Sequence, residues 1–183
     1  MELGAGSGMM SQHLLELFPE AELLVTDISH AMLGVCREKL SGKYAGRFNI
    51  LRHDFNKDLA FTRNSFDLVV SALALQWASD LRQSFANIRS SLKPDSGIFY
   101  FSIPLCGSFD VLRKCFEMED LEFPGLDLPA FDSVKSALHD SGFIAFNSNI
   151  HDYKENYASL SELLRHHKLT GTSNAGRRVS TSV

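Results

Sequence analysis

Three glycines at alternate positions, Gly4, Gly6 and Gly8, stand behind an acid, Glu2, and ahead of a helical pattern. No other feature constrains the chain as tightly. The pattern describes a strand that turns sharply into a helix. Positions without side chains let a ligand approach the backbone, and the first turn of the helix beyond offers N–H groups that have no partner within it. Nineteen residues after Gly8, the run Leu23-Leu24-Val25-Thr26-Asp27 reads as a buried strand ending in a carboxylate. A carboxylate at that place is suited to gripping the two hydroxyls of a ribose.

The glycine spacing bears on which nucleotide is bound. A dinucleotide fingerprint, G-x-G-x-x-G, counted from Gly4 puts its third glycine at position 9, which is Met9. The third glycine here is Gly8. The run Glu2-x-Gly4-x-Gly6-x-Gly8 resembles motif I of the class I S-adenosylmethionine (SAM) dependent methyltransferases. On the glycines alone a NAD reading stays open, and the downstream residues must separate the two.

Strand and helix patterns alternate along the chain. Met9 to Phe18 carries a helical stripe stopped by Pro19, and residues 22–27 form a strand. Ser29 caps a helix with Met32, Val35, Cys36 and Leu40 on one face. Phe48 to Phe55 reads as a third strand. The near-continuous apolar run 66–73 reads as a central parallel strand covered on both faces. Asp80 caps a helix over Leu81–Leu92, and Gly97 to Ile103 is a fifth strand. Residues 108–118 and 132–140 are predicted helical, 143–157 as a sixth strand, and Leu160, Leu163 and Leu164 mark a last helix. The alternation argues for an α/β fold built on a doubly wound, mostly parallel sheet.

At 183 residues the chain is expected to form one domain over 1–170 with a polar, disordered tail over 171–183. A net charge of −4 gives no reason to expect nucleic acid. Cys36, Cys106 and Cys115 are odd in number and widely spaced, so they predict neither a disulfide framework nor a metal site. No apolar run reaches the roughly 18 residues of a membrane span. A cytoplasmic monomer that touches neither membrane nor nucleic acid is the expectation.

In a doubly wound sheet ligands bind beyond the carboxyl ends of the strands, where strand order switches. Gly4, Gly6 and Gly8 follow the first strand there, Asp27 and Ile28 the second, Asp54 and Phe55 the third, and Ser71 to Trp77 the fourth. Asp27 is assigned to the ribose, Ile28 to one face of the adenine, and Asp54, with Phe55 beside it, to the adenine amino group. Glu2 is assigned to the sulfonium end of the cofactor, with Ser71 also at its site. Gln76, Trp77 and Arg113 are assigned to the substrate. Each of these residues also has an ordinary structural reading as cap, turn, core or solvated charge.

Several segments together resemble the malonyl-[acyl-carrier protein] O-methyltransferase family. They are Glu2–Gly8, Val25-Thr26-Asp27-Ile28-Ser29 with Met32-Leu33, Ser71-Ala72-Leu73-Ala74-Leu75-Gln76-Trp77 with Asp80, and Leu163-Leu164-Arg165 to Lys168-Leu169-Thr170-Gly171. The first two are common to many class I methyltransferases, and the last two are narrower. The resemblance implies SAM as cofactor and a malonyl group on an acyl-carrier protein as substrate, esterified at its free carboxylate in biotin synthesis. It also implies a sheet clipped at both ends, because the family has a segment before motif I and a further strand after the Lys-x-x-Gly stretch. An acidic carrier calls for a basic surface. The candidates are Arg165, His166, His167 and Lys168 with Arg177 and Arg178, and a second group of Arg113 and Lys114.

Overall fold

The computed structural model describes residues 1–57 and 63–169. Strands β1 (Glu2–Leu3), β2 (Leu23–Asp27), β3 (Phe48–Arg52), β4 (Leu68–Ala72) and β5 (Ile98–Ser102) alternate with helices α1 (Met9–Leu17), α2 (His30–Leu40) and α3 (Leu81–Ser91). Three further helices follow: α4 (Asp110–Met118), α5 (Phe131–Asp140) and α6 (Leu160–Leu169). The strands form one sheet in the order β3-β2-β1-β4-β5, and every pairing is parallel. β1 is the pivot. The chain leaves it towards β2 on one side, and β4 lies on the other.

Parallel strands need both faces covered, and the sequence supplies two apolar sets. On one face Leu15 of α1 and Leu33, Cys36 and Leu40 of α2 cluster with Leu23 and Val25 of β2. On the other, Phe85, Ile88 and Leu92 along α3 and Val134 and Leu138 of α5 cluster with Leu3 and Val69. Phe99 and Phe101 of β5 stack at 4.7 Å, and the Phe85 ring meets Phe99 edge-on at 5.7 Å. Truncating a fully buried ring such as Phe85 costs about 3–5 kcal/mol.

Helix starts follow the sequence signals. Ser29 accepts from the Met32 N–H at 3.3 Å, and Asp80 accepts from the Gln83 N–H at 3.1 Å. α1 differs, since its N-cap is Gly8 and no side chain caps it.

Two expectations change. β3 ends at Arg52 rather than Phe55, because Asp54 accepts from the Asn56 N–H at 3.1 Å and draws the backbone into a turn. The expected sixth strand over 143–157 does not form. Its apolar residues Ile144 and Ile150 are exposed and the sheet ends at β5. A β-branched run becomes a strand only where an edge accepts its ladder hydrogen bonds.

The chain divides into two compact units, Met1–Leu105 with Pro129–Ile144, and Cys106–Leu128 with Ala145–Val183. The first holds the whole sheet with α1, α2, α3 and α5; the second holds α4 and α6. The expected tail 171–183, including Arg177 and Arg178, lies outside the described residues, as do Thr170 and Gly171.

Candidate functional site

Because all five strands run the same way, the loops after β1, β2, β3 and β4 open at one edge of the sheet. Two polar side chains tie these loops in pairs. Asp27, at the end of β2, accepts from the Gly6 N–H at 2.8 Å through Oδ2 and from the Ser29 N–H at 2.7 Å through Oδ1. It thereby fixes the glycine turn against the start of α2. A carboxylate has about four acceptor positions, so each oxygen keeps one for a further donor.

The second tie is Asn56, which the sequence reading did not single out. Its Nδ2 donates to Asp54 Oδ1 at 3.2 Å and to the Trp77 carbonyl at 3.4 Å, while its Oδ1 accepts from the Ser79 N–H at 2.7 Å. The loop after β3 is thus stapled to the short 3-10 turn Leu75–Trp77 after β4. An Asx-type residue two positions after Asp54 was a turn signal; its reach to Trp77 and Ser79 is a tertiary contact that spacing does not reveal.

The three glycines turn out to do different things. All have positive φ. A Cβ on Gly4 would lie 2.3 Å from that of Ala74, and one on Gly8 would lie 2.5 Å from Cys36 Sγ. These two are glycine because the loop after β4 and α2 crowd them. A Cβ on Gly6 meets nothing within 4 Å. Of the three, only Gly6 faces open space among the described residues, beside the Asp27 carboxylate.

The other expected residues separate into open and enclosed. Ile28 is 57% exposed beside Asp27, and Trp77 is also exposed. Gln76 Nε2 donates to the Leu73 carbonyl at 2.7 Å, and its Oε1 is buried with no donor among the described residues. A bound N–H or O–H would satisfy that orphan acceptor. Phe55, by contrast, packs against the α3-side core. Ser71 is fully buried and its hydroxyl donates to the Leu3 carbonyl at 3.1 Å, so its side chain ties β4 to β1 instead of facing a ligand. Glu2 is 1% exposed. Its carboxylate takes the Ser11 hydroxyl, whose oxygen is 3.8 Å from Cys36 Sγ. The side chain is therefore enclosed between β1 and the first turn of α1.

Burial pushes the Glu2 carboxyl up to about 7, against the opposing hydrogen bond from Ser11. Burial likewise pushes the Cys36 thiol up, which keeps it an inert core group. Among the described residues no group of three or more His, Cys, Asp or Glu could hold a metal ion, and no helix is long and apolar enough to cross a membrane.

Arg113 lies in the second unit, with its guanidinium 4.5 Å from the centre of the Phe123 ring. It lines a cleft of about 230 Å³ with Cys106, Gly107, Ser108, Asp127 and Leu128.

Comparison with known proteins bears on the family and the fold. Residues 1–98 match the family described as methyltransferase domain. The chain is 39% identical over 114 residues, 60% of its length, to a malonyl-[acyl-carrier protein] O-methyltransferase of Chlorobium phaeovibrioides, and covers 42% of that protein. It is 31% identical over 181 residues, 95% of its length, to the mitochondrial arginine-hydroxylase NDUFAF5 of Mus musculus, and covers 50% of it. The chain therefore spans about half the length of these two relatives. A SAM-dependent methyltransferase of Mesorhizobium loti has the same fold, with a TM-score of 0.59 over 77% of this chain and 71% of that one at 23% identity.

Proposed function

The chain belongs to the methyltransferase-domain family, and on that premise we propose that it binds SAM at the Gly6–Asp27 edge of the sheet and methylates the free carboxylate of a malonyl group carried by an acyl-carrier protein. The observation that carries the cofactor half is the pairing of a crowding-free Gly6 with a carboxylate held by two backbone N–H groups. Asp27 has an acceptor position left on each oxygen for a ribose diol. Exposed Ile28 offers an apolar surface for a purine, and Asp54, anchored through Oδ1 by Asn56, an acceptor for its amino group.

When bound, SAM supplies a methyl group activated by a sulfonium leaving group. What the chain must add is modest. A malonyl carboxylate, with a reference pKa near ~4, is already an anionic nucleophile at neutral pH and needs no general base. Gln76 and Trp77 would orient the acyl group and limit the water around it. The malonyl carrier substrate itself is supported by the names of the relatives and by the Leu73-Ala74-Leu75-Gln76-Trp77 element.

A second reading follows from the NDUFAF5 relative, which matches nearly the whole chain: the fold is kept but the reaction is not methyl transfer to malonate. Incubation with SAM carrying a radiolabelled methyl group and purified malonyl-carrier protein separates the two. Base-labile label on the carrier, absent with the acetyl-carrier protein, supports the ester product. Bound SAM without label transfer to the malonyl carrier contradicts the malonyl reading and favours the second.

A further inference from the structure

The second unit presents a helix whose apolar stripe is uncovered among the described residues. α4 half-buries Leu112, Arg113 and Phe116, with the Phe116 ring edge-on to Phe123 at 5.7 Å, and leaves another face exposed. Val111, Cys115 and Met118 follow one another at i, i+4 and i+7 and so share a face. All three are exposed, Val111 at 79% and Met118 at 85%, and Leu121, in the turn after the helix, is exposed at 59%. A helix of nine residues has little stability of its own in water and ordinarily gains it by burying such a stripe. Contiguous apolar surface rimmed by polar groups marks an interaction site.

The rim identifies the chemistry of the partner. Between Asp110 and Glu122 the acids Asp110, Glu117, Glu119, Asp120 and Glu122 outnumber Arg113 and Lys114 by five to two, a local charge of −3. Glu117, Glu119 and Asp120 flank Met118 in sequence, and all are exposed. We propose that α4 and the turn after it form a docking face for a basic amphipathic segment of a partner protein, whose apolar side chains cover Val111, Cys115, Met118 and Leu121 while its lysines or arginines meet the acidic rim. The mode is helix-in-groove recognition with charge steering. It goes beyond methyl transfer. An acidic carrier protein is repelled by these charges, so this is a second partner surface.

The test uses the full chain and two synthetic amphipathic helical peptides, one of leucine and lysine and one of leucine and glutamate, with circular dichroism confirming that each variant folds. The leucine–lysine peptide is expected to bind at low salt and to weaken as salt rises. Val111→Ser with Met118→Ser is expected to weaken it at least tenfold, and Glu117→Lys with Glu119→Lys to a similar degree. Glu20→Lys with Glu22→Lys, the same charge change on exposed acids between α1 and β2, is expected to leave it unchanged. Equal loss in that control pair, or equal binding of the leucine–glutamate peptide, would overturn the proposal. So would sedimentation showing that the chain pairs with itself until Val111→Ser and Met118→Ser make it monomeric.

Discussion

At the scale of single residues, Gly8 and Gly6 occupy similar backbone conformations for different reasons, and substitution should separate them. Alanine at Gly8 drives a methyl against Cys36 in addition to the strain of its positive φ. Alanine at Gly6 carries the strain alone. Overpacking a filled core costs about 1–3 kcal/mol, so Gly8→Ala should melt well below Gly6→Ala, whereas Gly6→Ala should lose more cofactor affinity than stability. Thermal melts with and without SAM check both halves.

Glu2 gives a pH signature. In the unfolded chain its carboxyl titrates at 4.5, and in the fold at about 7. The folded state therefore holds a proton that the unfolded state has released, and stability falls as pH rises from 4.5 through about 7. At about 1.36 kcal/mol for each pH unit between those values, the loss is roughly 3 kcal/mol. Glu2→Gln should be more stable than the parent at pH 8 and close to it at pH 4. Denaturant titrations across that range give the difference curve, which isolates this group from the rest. A flat difference would place the Glu2 carboxylate in water.

At the scale of elements, the caps read from sequence are the caps observed, so Asp80→Ala should cost about 1 kcal/mol through the lost bond to the Gln83 N–H. Denaturation midpoints check this. The same local rules made β2, β4, α2, α3 and α5 legible, because their signals lie within the element: an apolar run, a capping Ser29 or Asp80, a terminating Gly142. The apolar pattern favours a β3 longer than the one observed, because the Asp54 turn competes with it. The 143–157 segment carries a strand pattern without forming a strand, because a strand is a relation between two segments and alternation specifies only one. Within the site, Asp27 and Gly6 were legible from spacing. Asn56 was not, since its reach to Trp77 and Ser79 spans 21 and 23 residues. The inward turn of Ser71 and Glu2 was also hidden, because a short strand places alternate side chains on opposite faces and only the register assigns which is which.

At the scale of the whole molecule, the all-parallel order β3-β2-β1-β4-β5 gathers four loop ends at one edge. Every part of the functional reading depends on a cofactor sitting there. Calorimetric titration of the full chain with SAM tests this directly. One site per chain is expected, and for Asp27→Ala a loss of roughly 1.5–3 kcal/mol, ten- to a hundredfold in dissociation constant, since two hydroxyl donors lose their acceptor. A parent chain that gives no binding heat, or an Asp27→Ala variant that folds and binds SAM as tightly as the parent, would contradict it.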